Sequence, residues 1–304
     1  MIDTALSVAF AAAAVRVGTP LALAAIGESI AEKSGVINLG IEGAMLAGAF
    51  GAAVGAINGG LLLGVCAGVV AGLTVAALFA AVAIGARADQ IITGTAVTLA
   101  ATGLTGLLAQ RVWGVAGAGL SLPTLPPVSL PGLDRIPIVG PVFLHQSVLT
   151  YACYLIIPSA SWLLFRTRFG LEIRASGESP IAAAAAGVAV GRTRTLATLI
   201  GGACSGLAGA SLALAQVGTF TERMTGGRGF IAIAIVALGR WHPWGVAVAS
   251  LVFGAATALQ YILQASGTRI PYQIFIAFPY LLALAALVFA VGRQRGPAAL
   301  GRAH

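Results

Sequence analysis

Two polar stretches interrupted by glycine hold most of the residues in this chain that could do chemistry. The first runs from Gly27 through Glu28, Glu32, Lys33, Asn38 and Glu42 to Gly43, and leads into the small or apolar residues Ala44–Ile57. The second is Thr221–Gly229, with Glu222, Arg223, Thr225 and Arg228, and leads into the apolar run Phe230–Leu238. A carboxylate, an amide, a hydroxyl and a guanidinium at such breaks could hydrogen-bond a polar solute. Broken segments in corresponding halves of a transporter mark its pathway, because unwound backbone survives at membrane depth only beside a cavity or inside protein. Asn38 and Glu42 are four residues apart, so a helical turn would present them on one face. The alternative is that both stretches are ordinary polar loops at the membrane interface.

Other chemistry is absent from the spacing. Cys66, Cys153 and Cys204 lie far apart in apolar runs, which argues against a disulfide framework or a Cys-x-x-Cys metal site. His145, His242 and His304 are equally isolated, and neither a metal centre nor a serine or cysteine triad is visible. Lys33 is the one lysine, and it follows Ile30, Ala31 and Glu32 rather than a glycine loop. A phosphate-cradling Gly-x-x-x-x-Gly-Lys-Ser/Thr site is therefore missing, and the chain cannot hydrolyse ATP in that way. No catalytic residue is expected.

The elements that must position these residues are membrane helices. The 304 residues are 59% hydrophobic and 9% charged, whereas a soluble domain is about 25% charged. Charge is absent from Gly43–Ala86, Ile136–Phe165, Thr195–Thr221, Trp241–Thr268 and Ile270–Gly292. Each of these runs reaches the roughly 20 residues that a spanning helix needs. Apolar segments fall at 4–26, 43–58, 61–86, 90–110, 145–165, 195–217, 229–239, 245–264 and 272–291. The expectation is an all-α polytopic transmembrane bundle, a single domain over 1–304 with about 8–10 membrane helices, some short or broken. Arg16, near the middle of the first segment, costs about 2.5–3.5 kcal/mol there, so that segment is expected to be split or to face a partner. The N-terminus has no basic region of the kind that precedes a cleaved signal peptide.

The net charge of +8 reports topology, since the basic residues are scattered and do not interleave with aromatics as a nucleic-acid surface would. Residues 166–194 hold five arginines against Glu172 and Glu178, a local charge of +3, and the tail adds Arg293, Arg295 and Arg302. The positive-inside rule puts both on the cytoplasmic side. An even number of crossings must separate them, so the short segment 229–239 has to contribute one. Residues 112–141, with six prolines and the pair Asp134 and Arg135, are expected to be an external loop. The side of the N-terminus is left open. Gly60, Gly64, Gly68 and Gly72 recur every four residues, a spacing that predicts one close-packing helical face.

The stretch 166–194 also contains a short helix signal. Ser179 is a good N-cap, Pro180 suits the first helical position, and Gly187 stops a helix that runs through the alanines. Its small side chains make a narrow rod, suited to docking in a partner's groove or simply to joining two spans.

At these residues the chain resembles the permease subunits of bacterial ABC importers, in the family that covers ribose and branched-chain amino-acid permeases, and within it the nucleoside or basic-membrane-protein branch. The resemblance rests on Glu32–Gly43, on Arg166–Leu171 with Arg174–Pro180, on Ala182–Gly187, and on Gly227–Ala234 with Gly239, Arg240, Trp241 and Pro243. It implies a multi-pass inner-membrane protein that forms half of a pathway with a second permease, identical or homologous. It also implies a cytoplasmic ATPase that carries the ATP and magnesium, no cofactor in this chain, and an extracytoplasmic binding lipoprotein; membrane lipid surrounds the complex and nucleic acid has no part. The coupling residues would be Arg174, Glu178, Ser179, Pro180, Ala182, Ala183 and Gly187. The pathway residues would be Asn38, Glu42, Phe50, Thr225, Arg228 and Phe230, with nucleosides or nucleobases as substrate. The alternatives are a ribose-like sugar permease of the same family, a stand-alone secondary transporter and a structural membrane subunit.

Overall fold

The computed structural model describes residues 2–114, 121–129, 138–265 and 296–301, with helical positions at 277, 278, 280–282, 284, 285 and 288. Ten α-helices have defined bounds within it: α1 Ile2–Lys33, α2 Ile41–Ala80, α3 Gln90–Trp113, α4 Val139–Phe143, α5 Val148–Arg166, α6 Arg168–Glu178, α7 Pro180–Ala185, α8 Val190–Ser211, α9 Arg228–Leu238 and α10 Pro243–Ala265. The strands β1 (Pro127–Ser129) and β2 (His145–Ser147) pair antiparallel, with Val128 opposite Gln146. π-helical turns at Ala81–Gly85 and Leu212–Val217 prolong α2 and α8. Among the described residues six helical stretches are long and apolar enough to cross a membrane, and α9 is a shorter apolar helix. The expected segment 272–291 falls largely outside the described residues, as do 115–120 and 130–137 of the proline-rich loop.

The second stretch doubles back. Gly59 and Gly60 leave helical geometry inside α2, Gly60 at φ 80°. Such a left-handed corner suits a residue without a Cβ. The legs 41–58 and 61–80 then run antiparallel, since a Cβ at Gly55 would lie 2.9 Å from the Gly64 Cα and one at Gly51 2.8 Å from the Ala67 oxygen. Each leg is about 27–30 Å long at 1.5 Å per residue, close to the hydrocarbon thickness. This corrects one expectation: Gly60 does not share the packing face of Gly64, Gly68 and Gly72 but forms the corner, and nothing lies within 4 Å of where its Cβ would be. The other three are buried. Gly68 and Gly72 meet α8, where backbones approach so closely that a Cβ at Gly48 would fall 2.6 Å from the Gly206 Cα. In lipid, close backbone approach of this kind supplies van der Waals contact in place of a hydrophobic drive.

The most extensive helix contacts are α2 against α8, and α1 against α8 and α10. The core is lined accordingly by Leu23, Ile26, Ile41, Met45, Ile235, Val246 and Phe253. The helix α1 is unbroken through Pro20, and Arg16 is exposed on it. The C-terminal end of α1 lies at the arginine-rich end of the bundle, where the Arg194 Nε donates to the Ser34 oxygen at 3.1 Å. Its other half lies at the opposite end, where Gln146 Nε2 donates to the Ala12 oxygen at 3.3 Å. Residues 218–241 cross between these ends. Leu122 N bonds the Gly218 oxygen at one end, and Trp241 bonds Glu32 at the other. The short helix thus contributes a crossing with help from the chain before it.

Candidate functional site

The two polar breaks meet in space at Glu42. Its Oε1 accepts the Thr225 hydroxyl at 2.6 Å and the Gly227 N–H at 2.7 Å, and its Oε2 accepts the Gly229 N–H at 2.6 Å. Gly227 is the N-cap of α9, in the left-handed region at φ 82°. A carboxylate is thereby held against the N–H groups and positive dipole end of a half-helix. Glu42 is 8% exposed and Thr225 1%, so both are spent on joining α2 to α9.

Asn38 has a different place from the expected one. The helix α2 begins at Ile41 with Gly40 as its N-cap, so Asn38 lies in the preceding turn and not on a helical face with Glu42. Its Oδ1 accepts the Gly40 N–H at 2.9 Å, and its own N–H donates to Glu28 Oε1 at 2.9 Å. Gln90, at the start of α3, accepts the Ile37 N–H at 2.8 Å. The α1–α2 connection is thus tied to α1 and to α3, which satisfies backbone groups that lipid could not.

Arg228 opens α9 and donates to the Met224 oxygen at 3.0 Å and to the Tyr261 hydroxyl at 3.3 Å. With Thr257, Gln260, Tyr261 and Tyr280 it lines a cavity of about 130 Å³, and Tyr280 donates to the Gly226 oxygen. Phe230, 45% exposed, lies on the outer face of α9. Phe50 packs edge-on against Trp113 and Phe220 at 5.4 Å from each, so its ring is committed to an aromatic cluster. An exposed pair, Gln110 Nε2 donating to Glu222 Oε1 at 2.8 Å, stands beside Gly106 on α3.

At the arginine-rich end, Thr167 caps α6 and Ser179 caps α7, accepting the Ala182 N–H at 3.4 Å. Pro180 is the first residue of α7, and Gly187, at φ 87°, lies two residues past its end at Ala185. The helix buries Pro180 and Ala183 and presents Ile181, 79% exposed, with Ala182. A cleft of about 500 Å³ beside it is lined by Leu171, Ala175, Glu178, Ser179, Ala182 and Val188 among others. Arg174 reaches back to the Gly170 oxygen at 3.4 Å and stands 5.4 Å over the Phe165 ring. A helix so short gains its stability from packing, which Pro180 and Ala183 supply from its buried side.

Glu32 and Trp241 escaped sequence reasoning as a pair. The indole Nε1 donates to Glu32 Oε2 at 2.5 Å, and Glu32 is 3% exposed with its Oε1 unpartnered. The two residues are 209 positions apart, and nothing in their spacing links them. Among the described residues no cluster of His, Cys, Asp and Glu could hold a metal.

Residues 10–291 match the model of a family described as "Branched-chain amino acid transport system / permease component". The chain is 36% identical to the guanosine ABC transporter permease protein NupQ of Bacillus subtilis, over 93% of this chain and 92% of that one. It is also 36% identical to the putative glucose ABC transporter permease protein TsgC13 of Haloferax volcanii, over 92% and 91%. To the nucleoside ABC transporter permease protein NupC of Lactococcus lactis it is 31% identical, over 93% and 92%. No solved structure matches. An apolar bundle with half-helix α9 pinned at its N-terminus, and a match along nearly its whole length, lead to one conclusion: this multi-pass protein of the cytoplasmic membrane belongs to the branched-chain amino acid transport system permease family and is an ABC-importer permease subunit.

Proposed function

We propose that this permease imports nucleosides, forming half of a pathway with a second permease subunit, while a separate cytoplasmic ATPase supplies the energy and an extracytoplasmic binding protein delivers substrate. The observation that carries the reading is α7. A capped six-residue helix at the arginine-rich end displays Ile181 to solvent beside an open cleft, as a docking element for another chain would. Magnesium and ATP belong on that other chain, since this one has no phosphate loop. Binding and hydrolysis there would shift the permease between outward and inward openings through a differential affinity for the two states. Arg174, Glu178, Ser179, Ala182 and Gly187 border the coupling surface in this reading, while the buried Pro180 and Ala183 hold α7 in place. Arg228 and Phe230 are the pathway groups with open access, while Asn38, Glu42, Thr225 and Phe50 hold the wall in shape.

Nucleosides are favoured as substrate by similarity to a guanosine and a nucleoside permease over more than nine-tenths of the chain. The glucose permease of Haloferax, equally similar, supports a sugar as the second reading. Uptake of labelled guanosine by the whole complex, competed with uridine, ribose, glucose and leucine, tests both. Competition by uridine but not by glucose is expected, and competition by glucose alone would transfer the assignment to sugars.

A further inference from the structure

The short segment 296–301 returns to the arginine-rich end and seats where the end of α6, the turn after α1 and Trp241 already meet, since a Cβ at Gly177 would run into the Lys33 oxygen and Trp241 bonds Glu32. Ala299 N–H donates to the Gly177 oxygen at 2.9 Å, and Gly301 N–H donates to the Gly35 oxygen at 3.1 Å. Gly177 is in the last turn of α6, two residues before the Ser179 cap of α7. Gly35 is in the turn that follows α1. The third neighbour is Trp241, just past α9, whose ring would lie 2.9 Å from a Cβ at Gly296. Ala299 is 3% exposed, and its carbonyl oxygen would be 3.3 Å from a Cβ at Gly35. The sequence Gly-Pro-Ala-Ala-Leu-Gly has the small side chains that so narrow a seat admits.

Each contact lies on a different branch of the molecule. Gly177 leads to the docking helix α7. Trp241 leads, through Glu32, to α1 and, through α9, to Gly229 and Glu42 at the polar break. A segment bonded to Gly177 and Gly35 and packed against Trp241 resists relative movement between the docking surface and the half-helix.

We propose that residues 296–301 form a strap that positions α7 relative to the inner end of α9, so that force applied at the docking helix reaches the pathway wall. Ala299 is its central positioning residue, because its N–H holds α6 directly ahead of the coupling helix. The inference rests on the ATPase-coupled reading proposed above. It differs from a mere tether in one respect: a tether would affect stability alone, whereas a strap also affects the transmission of a signal.

The test uses the full complex of permeases, ATPase and binding protein in liposomes, with wild type, Ala299→Pro, Ala299→Ser and a chain ending at Arg295. Proline removes the N–H that bonds Gly177, and serine keeps it. Basal ATPase, ATPase stimulated by loaded binding protein, uptake and the thermal unfolding midpoint are read for each. For Ala299→Pro the ratio of stimulated to basal ATPase should fall at least about fivefold, the lower end of allosteric coupling, with uptake falling alike. Its midpoint should fall by no more than the loss of one buried hydrogen bond accounts for, and an equally destabilising substitution outside the segment should keep the wild-type ratio. The shortened chain should behave in the same way, and Ala299→Ser should match wild type. A wild-type ratio in both Ala299→Pro and the shortened chain overturns the strap. So does an equal fall of the ratio in a variant outside the segment with the same unfolding midpoint, since that marks a stabilising tether. Absence of stimulation in the wild type is a separate result, which defeats the ATPase-coupled reading before any variant is compared.

Discussion

Glu42 Oε2 accepts the backbone N–H of Gly229 at 2.6 Å across 187 positions of sequence. The same carboxylate also takes the Thr225 hydroxyl and the Gly227 N–H. One acidic side chain therefore satisfies donors at the start of a buried half-helix, where an unpaired donor is costly.

Replacing Glu42 by alanine strips the partner from three donors at once. Each unpaired buried donor costs about 1–3 kcal/mol, so Glu42→Ala should lower the unfolding midpoint in detergent and reduce the folded yield. Glu42→Gln, which keeps an acceptor oxygen, should fall between it and wild type. Fluorescence-detected gel filtration after a temperature series measures both. A wild-type midpoint for Glu42→Ala would refute the anchoring role.

Two glycines, Gly206 on α8 and Gly60 at the α2 corner, should respond oppositely. Gly206→Leu places a side chain where the α8 and α2 backbones touch, since a Cβ at Gly206 would already lie 3.1 Å from the Gly68 carbonyl carbon and the Gly72 Cα. The folded protein should be largely lost. Gly60→Ala meets open space and bears the cost of a positive φ with an extended ψ, about 1–3 kcal/mol, so more of the yield should survive than for Gly206→Leu. Membrane yields of the two variants give the comparison.

The surface of α7 separates docking from folding. Ile181→Glu changes a residue 79% exposed, so the permease should fold normally while stimulated ATPase activity of the complex drops at least about tenfold, as when an interface anchor is lost. Ala183→Arg changes a residue 4% exposed and should instead disturb the packing of α7, lowering folded yield. Equal stimulation for Ile181→Glu and wild type would remove Ile181 from the docking surface.

Trp241→Phe deletes the donor to Glu32 Oε2, and Glu32 Oε1 already lacks a partner. The variant should lose about 1–3 kcal/mol of stability. Glu32→Leu in the same chain should recover part of that loss, because the orphaned polar group goes with it. A double-mutant cycle on unfolding midpoints checks the coupling, and additive effects would show that the two side chains do not act as a pair.

Charge-free runs dictated the membrane environment, because a spanning helix excludes ionised groups. Arginine density identified the end that carries α6 and α7, and the caps Ser179 and Pro180 located α7 to within a few residues, because capping is a local effect. The crossing by α9 followed from counting alone. What the linear chain withheld were relations across long separations. Spacing placed Asn38 and Glu42 on one helical face, whereas the Gly40 cap puts Asn38 in a turn and sends Glu42 to Gly229. A four-residue glycine period enrolled Gly60 in a packing face, whereas its positive φ makes it a corner. Periodicity describes a helix that continues, and it carries no information on where one turns back. The partners of Glu42, Glu32 and Gly177 are Gly229, Trp241 and Ala299, each more than 100 positions distant. Which buried donor meets which buried acceptor is settled only when the helices pack, since in lipid each must find its partner inside the protein.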